Sequence, residues 1–240
     1  MSSPEDARVE VHDSPEELAT AVAGELLNRI ADLQAAGDVP QICLTGGTIA
    51  EAIHADVARL ADDSGVDWGA VDFWFGDERY VAPDSPDRNV GQARAAFLDA
   101  LGVPAHRIHE MASTSAACSV DEGARAYAAT VPAQFDVLML GIGPDGHIAS
   151  LFPGFPQLDE TGLLAVGVTG SPKPPPERIS LTYTALRRGV SVWFVASGEG
   201  KAGAVASALG GADLHETPAA GVTGRAETIW FLDRGSASQL

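Results

Sequence analysis

The chain has 240 residues, 45% of them hydrophobic, and its 15 Lys plus Arg against 33 Asp plus Glu give a net charge of −18. This length and hydrophobic content suffice for one core, so we expect residues 1–240 to form a single domain. The charge argues against nucleic acids and anionic membranes as partners, because both repel an acidic protein. An anionic ligand would therefore need a local cluster of cations and backbone donors.

Neither a membrane span nor a secretion signal is visible in the sequence. No apolar run reaches the ~20 residues of a membrane-spanning helix, and the N-terminal stretch MSSPEDARVE lacks the basic and apolar regions of a signal peptide. We therefore expect a cytoplasmic protein. The two cysteines, Cys43 and Cys118, lie far apart and form no metal-binding or redox pair.

Strands and helices are predicted to alternate along the chain, which is typical of an α/β fold with a mostly parallel sheet covered on both faces. The predicted strands cover residues 8–12, 41–44, 71–75, 137–140, 163–168, 178–182, 190–196 and 228–232. The predicted helices cover residues 15–36, 49–60, 89–98, 120–130 and 198–209, and a short one begins at His147. Asn89 is a candidate helix cap, and the turn-rich residues 82–90 are long enough to form a flap.

The central stretch 135–154, FDVLMLGIGPDGHIASLFPG, predicts a buried strand that runs into a glycine-rich loop. Glycines let a backbone approach a ligand closely and present its N–H groups, so the loop predicts an anion or oxyanion site. His147 at its edge is a candidate general base, because an imidazole exchanges a proton near neutral pH. The alternative is a structural histidine that caps the following helix.

Three further loops follow predicted strands. Residues 45–48, TGGT, precede a helix, which would direct N-terminal amides at a phosphate, and the same letters also fit a plain tight turn. Residues 76–81, GDERYV, place charged groups at a strand end, where either a site or a solvated loop is expected. Residues 198–201 include Lys201, one of two lysines in the chain. Ligands of parallel sheets bind at the carboxyl ends of strands, so we expect all four loops to converge.

Two other chemistries are disfavoured. Residues 141–146 match GxGxxG, but they are not in the first βα unit, Pro144 disfavours helix entry, and no acid ends a strand about 20 residues later, as a nicotinamide dehydrogenase requires. Ser150 lies three residues after His147, but no GxSxG pattern surrounds it, so a serine nucleophile is not expected either.

Five segments, taken in order, resemble the 6-phosphogluconolactonase family over nearly the whole chain. They are LTGGT at 44–48, FGDERYV at 75–81, GIGPDGHIASLFPG at 141–154, RISLT at 178–182 and SGEGKA at 197–202. The related glucosamine-6-phosphate deaminases share the GxGxDGHIA core but continue it with Asn-Glu-Pro, where this chain has SLFP, and they lack Arg79. The first loop departs from the family's usual SGGSTP, because TGGTIA keeps the hydroxyl and loses the proline.

The resemblance implies a three-layer αβα fold of the glucosamine-6-phosphate deaminase and ribose-5-phosphate isomerase type. It also implies hydrolysis of 6-phosphogluconolactone to 6-phosphogluconate in the oxidative pentose phosphate pathway, with no metal or organic cofactor. It places His147 as the general base, and Asp77 and Arg79 at the sugar. At the phosphate it places Thr45, Gly46, Gly47, Thr48, Arg178 and Lys201.

The orienting carboxylate, the oxyanion donors and the choice among related functions stay open at this point. Either Asp145 or Asp77 is expected to orient the imidazole. The amides of the loop from Gly143 to Gly146 are the candidate oxyanion donors, from the geometry of the loop alone. A monomer acting on a small sugar phosphate lactone is expected, with two alternatives: a deaminase or isomerase of sugar phosphates on the same scaffold, and a sugar-phosphate sensor without catalysis.

Overall fold

The computed structural model describes residues 7–240, so residues 1–6 of the stretch in which we expect no secretion signal lie outside it. The strands in this range are β1 (Arg8–His12), β2 (Gln41–Leu44), β3 (Asp72–Phe75), β4 (Asp77–Arg79), β5 (Phe135–Gly141), β6 (Ala165–Val168), β7 (Arg178–Leu181), β8 (Gly189–Ala196) and β9 (Glu227–Asp233). The helices are α1 (Pro15–Ala35), α2 (Thr48–Leu60), α3 (Asn89–Ala93), α4 (Val120–Ala128), α5 (Tyr183–Leu186) and α6 (Ala202–Leu209). None of these helices is long and apolar enough to cross a membrane.

Six strands form the central sheet in the order β1-β9-β8-β5-β2-β3, and every neighbouring pair is parallel. Alternate side chains of a strand point to opposite faces, so an apolar run buries both. In β5, Val137 and Met139 pack with α1, α2 and α3 on one face. Leu138 and Leu140 pack with α4, α6 and β7 on the other. The predicted three-layer α/β fold with a mostly parallel sheet is confirmed.

The predicted start of α1 is also present. The Ser14 hydroxyl accepts a hydrogen bond from the Glu17 amide at 3.2 Å, and Pro15 occupies the first turn. A proline is tolerated there because its missing N–H would have had no helical partner. Local sequence signals therefore suffice to set where this helix begins.

Three short strands lie outside the parallel sheet and form a second, antiparallel sheet in the order β4-β7-β6. The strands predicted at 163–168 and 178–182 belong to it, as does part of the predicted loop 76–81. Parallel pairing needs a crossover of roughly a dozen residues or more, usually a helix. The proline-rich segment 169–177 between β6 and β7 is shorter and forms none, so the chain returns antiparallel.

The short helix predicted to begin at His147 is wrong. Residues 147–155 form turns, with an isolated bridge between Ile148 and Leu151. Ala149 has φ of 47°, which lies in the left-handed region and is incompatible with a right-handed helix. His147 is therefore held by a loop and does not cap a helix.

The segment 82–90 is anchored at its carboxyl end, which argues against the predicted flap. Arg88 is buried, and its Nη2 donates to the Met111 carbonyl at 2.7 Å. Arg88 also occupies the cap position of α3, so the expectation that Asn89 caps this helix is wrong. The Glu78 carboxylate satisfies the free amides instead, accepting from Asn89 at 2.8 Å and Val90 at 2.9 Å.

Candidate active site

The carboxyl ends of β8, β5, β2 and β3 are neighbours in the sheet, and the loops that follow them border one cavity of about 260 Å³. Its lining comprises Thr45, Gly46, Gly47, Asp77, Arg79, Asn89, Gly141, Ile142, Gly143, His147, Ala149, Lys173, Pro174, Arg178 and Lys201. The structure therefore brings together the imidazole and the two cations, Arg178 and Lys201, that lie far apart in the sequence.

Three residues expected at the site do not line this cavity. Thr48 borders an adjoining cavity of about 510 Å³ that shares Gly46, Gly47 and Lys201 with the first. Asp145 is hydrogen-bonded to His147, as described below. Gly146 has φ of 82°, and a Cβ there would lie 2.9 Å from Thr217 Cγ2, so backbone conformation and packing require this glycine.

His147 and Asp145 form a hydrogen-bonded pair. Asp145 Oδ1 lies 2.5 Å from His147 Nδ1, so of the two candidate carboxylates it is Asp145 that orients the imidazole. No group within residues 7–240 bonds to His147 Nε2. Gly143 makes this arrangement possible, since a Cβ there would lie 1.9 Å from His147 Nδ1 and 2.4 Å from Asp145 Oδ1.

Burial and charge set the protonation of this pair. Burial lowers the pKa of His147 most, Lys173 lowers it further, and the bond to Asp145 opposes both, so the net shift is downward. Burial raises the pKa of Asp145, but the hydrogen bond and the charge of His147 outweigh it, and that pKa falls. At neutral pH the pair is thus a carboxylate and a neutral imidazole whose Nε2 can accept a proton.

Asp77 has a different set of partners. It is buried, and its Oδ2 accepts a hydrogen bond of 2.6 Å from the Ser150 hydroxyl and lies 3.9 Å from Arg178 Nη1. Ser150 is 1% exposed and does not line the cavity, so its hydroxyl is not placed to attack a substrate there. Asp77 therefore belongs to a buried polar network beside the cavity.

Arg79 lines the cavity and has one donor group left for a ligand. Its Nη1 donates to Asn89 Oδ1 and to the Asp87 carbonyl, both at 2.7 Å. Its Nε has no partner in residues 7–240 but is buried, so a ligand in the cavity cannot reach it. Nη2 makes no hydrogen bond there and is not buried, so Nη2 is the donor available to a ligand.

The two expected cations, Arg178 and Lys201, line the cavity, and Lys173 lines it as well. Arg178 is 5% exposed, and its Nε and Nη2 donate to the carbonyls of Pro175, Pro174 and Lys173 at 3.1 to 3.3 Å. It thereby holds the loop that carries Lys173, a residue that the sequence analysis did not assign to the site. Burial lowers the pKa of Lys201, and the positive charge of Lys173 lowers it further. The sequence feature that could have identified Lys173 is that Lys173 and Lys201 are the only lysines in the chain.

Two of the amides expected as oxyanion donors, those of Gly143 and Gly146, are already used. The Gly143 amide donates to the His147 carbonyl at 2.8 Å, and the Gly146 amide donates to the Gly143 carbonyl at 3.0 Å. By contrast, no hydrogen bond within residues 7–240 engages the amides of Gly47 and Thr48 at the start of α2. Such helix N-terminal amides favour anions.

No group of three or more His, Cys, Asp or Glu side chains is placed to hold a metal ion in the part of the chain that the structure describes.

Residues 13–230 match the family model described as glucosamine-6-phosphate isomerases/6-phosphogluconolactonase. The 6-phosphogluconolactonase of Streptomyces coelicolor is 45% identical over 96% of this chain and 93% of its own length. The chain belongs to this family.

Two solved structures of the family have the same fold. One is the 6-phosphogluconolactonase from Trypanosoma brucei, with a TM-score of 0.81, 26% identity and 98% of each chain covered. The other is a monomeric glucosamine-6-phosphate deaminase, with a TM-score of 0.82 and 20% identity over 97% of this chain and 100% of its own. At that identity the second likeness concerns the fold alone, so the choice between the two activities depends on the chain's own residues.

Proposed function

We propose that this protein hydrolyses 6-phosphogluconolactone to 6-phosphogluconate, the second step of the oxidative pentose phosphate pathway. The observation that carries the proposal is the His147–Asp145 pair, whose free Nε2 borders a cavity that also contains two lysines. A neutral base near cations is what hydrolysis of a phosphorylated lactone requires. Identity of 45% to the Streptomyces coelicolor enzyme over almost the whole chain supports the same substrate.

In the proposed reaction, His147 Nε2 removes a proton from water as the water oxygen bonds to C1 of the lactone. Charge develops on the carbonyl oxygen, and the unused Nη2 of Arg79 is the proposed donor to it. The bond between C1 and the ring oxygen then breaks, and the imidazolium returns the proton to that oxygen. Asp145 holds the imidazole in one tautomer and stabilises its cation, a role typically worth 10² to 10⁴-fold together with the base.

The phosphate is proposed to lie between Lys173, Lys201 and the start of α2. The amides of Gly47 and Thr48 and the hydroxyl of Thr45 would donate to its oxygens. Charge-assisted bonds of this kind are the strong ones, and they offset the repulsion expected from a net charge of −18. Binding energy from the phosphate would then place C1 against the water.

The direct test is hydrolysis of lactone generated enzymatically in the assay, with the spontaneous ring opening subtracted. We expect a rate well above the spontaneous one. A rate equal to the spontaneous one, in protein whose circular dichroism shows the folded state, would overturn the proposal.

The protonation state of His147 predicts the pH profile. Only the neutral imidazole can accept a proton, and burial favours that form, so kcat/KM should stay level near pH 7 and fall only below the ordinary pKa of about 6.5. Replacing Asp145 by Asn removes a charge that raises this pKa. The acid limb should then move to lower pH while kcat decreases.

Rates measured from pH 5 to 8, corrected for spontaneous hydrolysis at each pH, check this expectation. An acid limb above pH 7 in the wild type, or a limb that moves upward in the Asp145→Asn variant, would contradict it.

The two lysines predict a specific effect on substrate binding. Lys173→Met and Lys201→Met should each raise KM for the phosphorylated lactone about tenfold or more and change kcat much less, because each removes one charged donor to the phosphate. Hydrolysis of unphosphorylated gluconolactone should be almost unaffected. Arg59→Ala, at the far end of α2, removes one positive charge without touching the cavity and is the matched control.

Steady-state kinetics with both lactones separate the outcomes. If Arg59→Ala raised KM as much as the lysine variants, the effect would come from the overall charge and the proposed phosphate site would be wrong.

Deamination of glucosamine 6-phosphate is the second candidate, because a deaminase shares the fold. Ammonia release from that substrate would favour it. Residues 150–153 read SLFP where the deaminases have Asn-Glu-Pro, and this difference supports the lactonase. A single domain over residues 1–240, a monomer and a cytoplasmic location remain predictions.

A further inference from the structure

Asn89 joins two residues of the site through one side-chain amide. It is the first residue of α3, is 4% exposed and lines the cavity. Its Oδ1 accepts from Arg79 Nη1 at 2.7 Å. Its Nδ2 donates to the Asp77 carbonyl at 2.8 Å and lies 3.4 Å from the Asp77 carboxylate. Both halves of the amide are therefore used: its oxygen binds the cation of Arg79, and its nitrogen binds Asp77.

The same amide also packs against the first loop. A Cβ added at Gly46 would lie 2.1 Å from Asn89 Oδ1, so the backbone of that loop approaches the amide as closely as a glycine allows. Asn89 consequently sets the spacing between the first loop, which is proposed to bind phosphate, and β4, which carries Asp77 and Arg79.

The backbone of Asn89 is fixed by a buried carboxylate. Glu78, which is 1% exposed, accepts through Oε1 from the amides of Asn89 and Arg79, both at 2.8 Å. Its Oε2 accepts from the Val90 amide at 2.9 Å. Because one carboxylate binds both β4 and the start of α3, the side chain of Asn89 projects from a fixed point relative to Arg79.

We propose that Asn89 is a positioning residue for the reaction, acting through Arg79 and Asp77. This inference rests on the proposed lactonase function. A guanidinium is planar, so holding Nη1 of Arg79 also sets the direction of its Nη2, which has no partner within residues 7–240. Without the amide, the Asp87 carbonyl alone would hold Nη1, and Nη2 would lose its orientation toward the substrate.

The first test is Asn89→Ala, which should lower kcat/KM about 10- to 100-fold, mostly through kcat. Gln92→Ala is the matched control, because Gln92 belongs to the same helix and its Nε2 also donates to a backbone carbonyl, that of Pro86 at 2.9 Å, outside the cavity. The control should retain wild-type kinetics within about twofold. An Asn89→Ala enzyme with wild-type kcat/KM would overturn the inference.

A double-mutant cycle then separates positioning from a general structural role. If Asn89 acts mainly through Arg79, Asn89→Ala should cost less than about threefold in an Arg79→Ala background. An equal loss in both backgrounds would refute this route. Should Asn89→Ala fail to fold, Asn89→Asp keeps the shape and the acceptor for Arg79 but loses the donor to Asp77. We expect it to fold and to lose activity, and full activity would exclude a role through Asp77.

Failure of the proposed function would look different. If the wild-type protein hydrolyses no lactone above the spontaneous rate, the proposed function is wrong, and no variant is needed to show it. Wild-type hydrolysis combined with an unaffected Asn89→Ala enzyme removes only the positioning role.

Discussion

His147→Ala is expected to lower kcat by 10² to 10⁴-fold with a modest change in KM. The variant keeps the lysines proposed to bind the phosphate but removes the proposed general base. That loss corresponds to about 3 to 5 kcal/mol of transition-state stabilisation, since each factor of ten in rate is about 1.4 kcal/mol. Because the lactone also opens spontaneously, the measurement is the enzymatic rate after subtraction of a protein-free control.

His215 offers a matched control within the same chain. Like His147, it has its Nδ1 bonded to the aspartate two residues earlier, Asp213, at 3.0 Å. It differs in being exposed, in having its Nε2 bonded to Asp159 at 2.9 Å, and in lying outside the cavity. Hydrogen bonds to these two carboxylates raise the pKa of His215, whereas burial lowers that of His147. His215→Ala should keep kcat, and an equal loss in both variants would remove the base assignment.

Gly143→Ala is expected to reduce activity nearly as much as loss of the imidazole. The new Cβ would lie 1.9 Å from His147 Nδ1 and 2.4 Å from Asp145 Oδ1, far inside van der Waals contact. The loop and the His147–Asp145 pair must therefore move apart, and overpacking of this kind also costs about 1 to 3 kcal/mol of stability. Kinetics and thermal unfolding of the variant measure the two effects separately.

The same substitution two residues earlier is the control. A Cβ at Gly141 would lie 3.7 Å from both the Gly46 carbonyl and Thr45 Oγ1, which is ordinary contact. Gly141→Ala should therefore keep the His147–Asp145 pair intact and lose far less activity than Gly143→Ala. Similar losses in the two variants would mean that the cavity wall, and not the geometry of the pair, limits the reaction.

Signals that are local in the sequence predicted the elements around the site well. The apolar run before Gly141 predicted β5, and the first helix was predicted to begin at residue 15, where α1 begins. Both depend on residues only a few positions apart. The wrong helix after His147 also shows the limit of local signals, because the left-handed Ala149 sits in a loop held by contacts from elsewhere.

Contacts between distant segments decided the rest of the site. The sequence left open whether Asp77 or Asp145 is the partner of His147. The structure shows that Asp77 bonds to Ser150, 73 residues later, and that Asp145 bonds to His147. Residues 77–79 likewise form the strand β4, and not a loop, because they pair antiparallel with the distant strand β7.

The sequence by itself determined the α/β class, the order of the six strands in the central sheet along the chain and the four loops that follow strands, because periodicity and glycine position act locally. Only the tertiary structure decided which carboxylate orients His147, that Lys173 joins Lys201, and that Asn89 links Arg79 to Asp77. Those choices depend on which distant donors and acceptors the packed layers bring within hydrogen-bonding distance, and no spacing along the chain encodes that distance.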